Sequence, residues 1–446
     1  MGKNSFQTTR LERMSYGGFF LGQNIIYVIQ FQFLMYFYTE YVGLSLGHTT
    51  TMLLIAKLWD AFNDPIMGAI VDKVNFKKEK YLPWLRFVTY ILPLSMFFVF
   101  INIDAAYNVK LIYAYITYII FGMVYTVSDS PLFSLATVMS RHAYERDTLI
   151  SHGRLAAALA AILSAAFMSI KVKAGWTLTA GVYCVVAFLV MFPMQFHAKE
   201  RVKYHRSSDI TFQKIFRFLF KNKYLLLYYI GYLAISATNT LQTMAVYFAN
   251  SNLGDETLVT VIMAVVIIPV IIVAPFLPTM IKAFGKKKLT IYSSAAMIIL
   301  SVIQYFAGYE NLAVFLGIAA VRVTFMQIPL LIYGMFTADC IEYGAYINGE
   351  RTEGIAFSIQ TFITKLGGAI SATLSLSLLG LFGYVKQAPI QSADTLEGIW
   401  IIMSLVPIIG YAIMILIMYV YKLNEKDVAL MMEHNQAKLG LKETSE

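Results

Sequence analysis

From Gly17 onward the sequence alternates long apolar runs with short polar stretches. A helix rises about 1.5 Å per residue, so about 20 apolar residues cross the core of a bilayer. The runs predict twelve spanning helices, near 17–40, 48–72, 83–103, 110–139, 149–170, 176–196, 223–249, 257–281, 289–308, 312–338, 354–382 and 398–421. The longest polar connection, HAKERVKYHRSSDITFQKIFRFLFKNK, falls between the sixth and the seventh. It predicts an N-terminal six-helix half (1–197), a central cytoplasmic loop (198–222), a C-terminal six-helix half (223–421) and a charged cytoplasmic tail (422–446). ERDTLI from Glu145 and ERTEGI from Glu350 follow the fourth and tenth runs, where a duplication of six helices would put them. The expected fold is therefore an all-α membrane protein in two halves.

Composition agrees with this pattern. The 446 residues are 58% hydrophobic and 14% charged, and the mean hydropathy is +0.64, values of an integral membrane protein. The stretch before the first run is polar and predicts no signal peptide. Net charge is +9, but 28 of the 35 Lys and Arg fall in segments on the side of both termini, and only Lys110, Lys171, Lys173 and Lys386 on the other. That bias predicts cytoplasmic termini. It assigns the basic balance to topology and anionic lipid, with no nucleic-acid partner required. Cys184 and Cys340 lie in or beside separate runs, which argues against a disulfide framework or a zinc site. His48, His142, His152, His197, His205 and His434 all avoid the depths of the runs, leaving little for a metal-centred membrane enzyme.

Charges inside the runs carry the chemistry. KLWDAFNDPIMGAIVD puts Lys57, Asp60 and Asp64 on one helix face by steps of three and four. Each charge at mid-bilayer costs roughly 2.5–3.5 kcal/mol on insertion scales. Pro65 has no N–H, so it leaves the Ala61 carbonyl without its helical partner. Asp60, Asp64, the Asn63 amide and that carbonyl make an oxygen-rich spot for a small hard cation or a proton. The alternative is an ion cluster that locks helices together. Two acids against one base leave negative charge, which favours the ion site.

In the fourth run, Tyr125, Asp129 and Phe133 share a face, with Thr126 one turn before Asp129 and Pro131 loosening the backbone. A carboxylate can accept from two neighbouring sugar hydroxyls, and aromatic faces cover the apolar side of a pyranose. Aromatic packing around an acid paired with Arg154 is the structural alternative, and both can hold. In the eleventh run, Gln360 precedes Thr361, which shares a face with Lys365. Lys365 is too deep to reach the interface easily. Arg322, deep in the tenth run, is either a substrate ligand or an interhelical lock. Gln23 and Asn24 are the polar candidates of the first run.

LERMSYGGFFLGQN, FYTEYVGL, WDAFNDPIMGAIVD, YTVSDSPLFSL, GERTEGIAFSIQT and TKLGGA together resemble the glycoside-pentoside-hexuronide:cation symporter family of the major facilitator superfamily, over nearly the whole chain. The resemblance implies that Asp60, Asn63 and Asp64, with Thr126, form the cation site. It implies that Tyr125, Asp129, Arg154, Gln360, Thr361 and Lys365 line the sugar and cation pocket. A galactoside-carrying member has Lys-Asp where this chain has Gln23-Asn24, and Trp where it has Phe133. Asn24 and Phe133 then stand at sugar-contacting positions with altered chemistry, which points to a different sugar. The implied activity is sugar:cation symport by alternating access around a midplane site, without a cofactor and without covalent chemistry. Either Na⁺ or H⁺ is the coupling ion. Asp60, Asn63, Asp64 and Thr126 offer oxygens enough for Na⁺, whereas a proton needs one carboxylate. A proton-coupled carrier of drugs or peptides, or a membrane-embedded glycosyltransferase, are the alternative functions.

Overall fold

The structure is a computed structural model describing residues 7–74, 76, 79–140, 143–201, 220–348 and 353–443. Among these residues every regular element is helical. In chain order come α1 (Arg10–Tyr36), extended by a π-turn (Phe37–Val42), α2 (Leu46–Lys73), α3 (Leu82–Val99), α4 (Tyr107–Met139), α5 (Ala143–Ala165), α6 (Phe167–Ala174), α7 (Trp176–Met191) and α8 (Met194–His197). Then follow α9 (Lys223–Ala237), α10 (Leu241–Ser251), α11 (Val259–Val273), α12 (Leu277–Phe284), α13 (Lys286–Ala307), α14 (Leu312–Asn348), α15 (Glu353–Leu381), α16 (Ala393–Ser404), α17 (Val406–Val420) and α18 (Glu425–Glu443).

Among the described residues, ten stretches are long and apolar enough to cross a membrane. They are α1 with its π-turn, α3, α4, α5–α6, α7–α8, α11–α12, α13, α14, α15 and α16–α17. The two remaining runs are also helical, as α2 and as α9–α10, but they are not among the ten. The charges of α2 set it apart; a break sets α9–α10 apart. Most of the central loop, 202–219, lies outside the described residues.

The chain forms two compact units. The first holds Met1–Arg206, Ala245–Ala264 and Gly383–Ser392; the second holds Ser207–Met244, Val265–Phe382 and Ala393–Glu446. The first therefore includes two segments that lie in the C-terminal half of the sequence.

Polar groups fasten the helix ends of the first unit. A capping box opens α1: Glu12 N–H donates to Thr9 Oγ1 at 3.2 Å, and Thr9 N–H to Glu12 Oε2 at 2.6 Å. Arg201 forks onto both Glu12 oxygens at 2.7 and 2.9 Å. Glu200 accepts from the N–H groups of Lys80, Tyr81 and Leu82 at 2.8, 2.7 and 2.8 Å, capping α3 from a distant point in sequence.

Two runs that read as continuous are interrupted in the second unit. Between α9 and α10, Thr238 Oγ1 donates back to Ala234 O at 2.9 Å, and Thr240 Oγ1 donates to Ile402 O at 2.5 Å. Threonine hydroxyls compete with helical bonding in this way. Gly410 has no side chain to strike Thr238 and Ala234, so α17 approaches the break closely.

The other break separates α16 from α17. Pro407 lacks the N–H that would bond Met403 O, and Ile408 N–H turns to Leu405 O at 2.9 Å, leaving Ser404 O. Arg322 Nη1 donates to both stranded carbonyls, at 3.4 Å to Met403 and 3.3 Å to Ser404. Its guanidinium is 0% exposed. Of the two roles open from sequence, this geometry gives Arg322 the interhelical lock. Pro407→Ala restores a donor for Met403 O, so Arg322→Met is expected to cost about 1 kcal/mol less in that background than alone, one hydrogen bond's net worth. Thermal unfolding of the four variants in detergent measures this; an equal loss in both backgrounds would refute the lock.

Candidate functional site

The first unit builds its polar site between α1, α2 and α4. Tyr16, Phe20, Gln23, Tyr27 and Gln30 step along α1 by fours and threes, so they form one stripe. The stripe meets α4 in antiparallel register. Tyr16 donates to Leu132 O at 3.2 Å, and the rings of Phe20 and Phe133 meet edge to face at 5.3 Å. Gln23 Nε2 donates to Ser128 Oγ at 2.8 Å and reaches Asp129 Oδ1 at 3.4 Å. Tyr27 lies against Tyr125 at 5.3 Å between centroids, and Gln30 Nε2 donates to Tyr118 at 3.2 Å. Asp129 thus sits between two aromatic layers, one of Phe20 and Phe133, the other of Tyr27 and Tyr125. Phe133 is 51% exposed, so its ring has a face to offer.

Gln23 and Asn24 occupy different surroundings although they are neighbours. Gln23 is buried and turned to Asp129. Asn24 donates its amide to Phe20 O at 2.8 Å, within its own helix, which leaves its side-chain carbonyl as the outward group.

On α2, Asp60 and Asn63 share a face. The Asp60 carboxylate rests against Gly122 of α4, where an added Cβ would come within 2.7 Å of Oδ1. Thr126, one turn on, is buried and donates to Gly122 O at 3.1 Å. Asn63 is 3% exposed, and its Nδ2 has no hydrogen-bond partner among the described residues. Amide orientation follows from partners, so the meaningful fact is a buried amide with an unspent polar end. The structure therefore brings Asp60 and Thr126 to one α2–α4 contact and leaves Asn63 beside them with bonding capacity. The side chains of Lys57, Asp64 and Arg154 lie outside the described residues.

If Asp60 holds an ion that drives uptake, Gly122→Ala is expected to turn the carboxylate away and raise the ion concentration for half-maximal uptake by about tenfold, near 1.4 kcal/mol. Gly317→Ala is the control, because a Cβ there meets nothing within 4 Å. Ion titrations of uptake for both variants check this, and an unchanged Gly122→Ala curve would count against an ion at Asp60.

Gln360, Thr361 and Lys365 belong to α15 in the second unit. Gln360 O accepts from Tyr333 at 3.2 Å and from Thr364 at 3.0 Å, while its side-chain Oε1 is buried without a partner among the described residues. Thr361 is exposed and Lys365 half-buried, four residues apart on one face. Beside them Tyr232 stacks on Tyr333 with 5° between the planes, and Tyr229 donates to Ala356 O at 2.9 Å. The unit thus offers an amide acceptor, a hydroxyl and a cation next to an aromatic wall.

Gly122 and Ser128 went unremarked in the sequence, and Gln23 was not separated from Asn24. Gly122 had a signal: glycine in a helix interior costs about 1 kcal/mol against alanine, so its presence in FGMVYT asks for a close neighbour. Gln23 had none, because only the register between α1 and α4 distinguishes it from Asn24.

A family model described as MFS/sugar transport protein matches residues 15–425. The chain is 30% identical to the uncharacterized symporter YjmB of Bacillus subtilis over 94% of this chain and 93% of that one. It is 27% identical to the glucuronide carrier protein homolog of Escherichia coli, over 92% of each. Among solved structures, the nucleoside transporter NupG superposes with a TM-score of 0.68 at 10% identity, covering 93% of this chain and all of that one (100%). That likeness speaks to the fold alone.

Proposed function

The chain belongs to the MFS/sugar transport family, the glycoside-pentoside-hexuronide:cation symporters of the major facilitator superfamily, and from that premise we propose that it carries a glycoside or uronide together with Na⁺ or H⁺. It is a multi-pass integral protein of the cell membrane and a transporter of sugars, not an enzyme. Coupling ion and sugar are the proposed part. One observation carries the ion site: the buried Asn63 amide keeps an unspent polar end beside an Asp60 carboxylate that Gly122 makes room for. In a bilayer an unmet buried polar group is costly; the Asn63 Nδ2 donor would be met by a water on a bound ion, and a turned amide would give the ion its oxygen instead.

Asp60, Asn63, Asp64 and Thr126 hold the ion in this reading. Asp129, steadied by Gln23 and flanked by Tyr125 and Phe133, accepts from sugar hydroxyls; Asn24, Arg154, Gln360, Thr361 and Lys365 serve the same substrate. Ion binding lowers local negative charge and so favours sugar; by linkage sugar favours the ion. The similarity to a glucuronide carrier homolog supports a glycoside or uronide over a peptide or drug.

Uptake into vesicles of a panel of neutral glycosides, pentosides and hexuronides, under an imposed Na⁺ or H⁺ gradient, tests this. Concentrative uptake of one sugar class driven by one of the ions is expected. If Na⁺ couples, sugar affinity rises with Na⁺ at fixed pH and Asn63→Ala weakens that dependence. If H⁺ couples, affinity rises as pH falls and Asn63→Ala spares it. Uptake of broad hydrophobic solutes in place of sugars would overturn the assignment.

A further inference from the structure

Arg322 stands ten residues after Leu312, the start of α14, so its charge lies roughly 15 Å along the helix, about half the thickness of a hydrocarbon core. It sits in the second unit, as do the helices α13, α16 and α17. Its lock on the stranded carbonyls uses one nitrogen of the guanidinium, Nη1. The other two, Nε and Nη2, have no hydrogen-bond partner among the described residues, although the residue is 0% exposed. Their N–H bonds run side by side along one edge of the planar group, the edge with which arginine grips anions.

The charge also lacks a counter-charge among the described residues. The bonds of Arg322 go to main-chain carbonyls, which are dipoles and carry no net charge. Asp339, the next acid along α14, lies seventeen residues on, roughly 25 Å away, and is paired with Lys286. Glu397 of α16 is exposed and accepts from Tyr305 at 3.2 Å. A cation buried without an anion is among the least favourable placements in a protein.

The neighbouring helix α13 brings polar groups that are equally buried. It runs antiparallel to α14: Lys286 at its start bonds Asp339 near the end of α14, and Tyr305 and Phe315, at the other ends, both meet Trp400. That pairing places Ser301 level with Arg322 and Gln304 about one turn above it. Gln304 is 0% exposed, and neither its Oε1 nor its Nε2 has a partner among the described residues. Ser301, also 0% exposed, turns its hydroxyl to the weak acceptor Met297 Sδ at 3.8 Å. Helical side chains lean toward their own N-terminus, so across an antiparallel pair Arg322 and Gln304 lean toward each other.

We propose that the Nε–Nη2 edge of Arg322, with the Gln304 amide and the Ser301 hydroxyl, binds a monovalent inorganic anion, chloride under cellular conditions. All four groups can donate, and donors are what an anion requires. One negative charge cancels one guanidinium. A divalent anion reverses the charge instead, and is harder to strip of water. A water molecule satisfies the donors but leaves the charge uncancelled. The anion ties α14 to α13 while Nη1 ties it to the α16–α17 break, so occupancy stabilises the packing of the second unit. The residues assigned to sugar and coupling ion lie on α1, α2, α4, α5 and α15, so the inference stands apart from the symport reading.

Thermal unfolding of the full chain in detergent tests this, with chloride replacing gluconate at fixed Na⁺ and fixed ionic strength. Above half-occupancy the unfolding temperature is expected to rise by about 2–4 °C for each tenfold of chloride. Bromide is expected to act alike, and sulfate not at all. Gln304→Leu keeps the guanidinium and removes one donor, so it is expected to raise the chloride concentration at which the rise begins by about tenfold. Arg322→Lys keeps the charge but loses the paired donors, and is expected to raise it by at least about tenfold. Crystals grown in bromide are expected to show anomalous density against the Nε–Nη2 edge. Stability that is equal in chloride, gluconate and sulfate overturns the site and leaves water on the fork. An unchanged chloride midpoint in both variants, or bromide density absent from that edge, overturns it as well. Should Arg322→Lys fail to fold, Gln304→Leu and the bromide crystals decide. Neither needs sugar or a gradient, so failure here is separate from failure of the symport assignment.

Discussion

Asp60→Asn and Asp64→Asn are each expected to abolish gradient-driven accumulation of sugar while leaving the protein folded and in the membrane. Both acids lie in a helix whose other face must meet lipid or neighbouring helices, and Asp60 is set against α4 at Gly122. A hard cation near the pair is held mainly by charge. Two unit charges about 4 Å apart attract by about 4 kcal/mol at an effective dielectric constant of 20, close to three decades in affinity. An amide keeps the shape and the oxygen but not the charge. If the ion is a proton, the amide removes its binding group outright. Sugar should then equilibrate across the membrane without being concentrated, so exchange of labelled for unlabelled sugar persists while uphill uptake is lost. Parallel assays of exchange and of accumulation under an imposed gradient distinguish the two. Undiminished concentrative uptake by both variants would remove the ion from α2.

The helical runs were legible because hydropathy is a one-dimensional property: an apolar stretch of spanning length reads the same alone or packed. The breaks were not. YLAISATNTLQTM reads as part of one apolar run, and the interruption at Thr238–Thr240 depends on hydroxyls finding Ala234 O and Ile402 O. Pro407 was visible, but that Arg322 would take up the carbonyls it strands is a fact of packing. At the candidate site, the residue types on one helix were legible by their spacing: Asp60 with Asn63, and Tyr125 with Asp129 and Phe133. Relations between helices were not, since helical spacing says nothing about which neighbour a stripe meets. Hence Gln23 at Asp129 and Gly122 under Asp60 emerge only from the register of α4 against α1 and α2. Glu40 and Gln387, which hydrogen-bond to each other, are 347 positions apart, beyond any local pattern.

Asp129→Asn is expected to weaken sugar binding about tenfold to a hundredfold, with a much smaller effect on ion binding measured without sugar. The carboxylate receives an amide donor, Gln23 Nε2 at 3.4 Å to Oδ1, a long contact that steadies it. Hydrogen bonds to a charged group contribute about 1.5–3 kcal/mol, roughly twice a neutral bond. An amide in its place would keep one acceptor oxygen and turn an NH₂ group toward either Gln23 or the sugar, so at least one donor loses its partner. The aromatic layers of Phe20 with Phe133 and Tyr27 with Tyr125 remain, and they retain the part of affinity that comes from covering the sugar's apolar face. Loss should therefore be large but incomplete, and Gln23→Leu should produce a smaller loss of the same kind, because it removes only the steadying donor. Equilibrium sugar binding, by calorimetry or by flow dialysis at saturating ion, reads both variants. Intact binding in Asp129→Asn would move the sugar away from α4, even if transport were impaired.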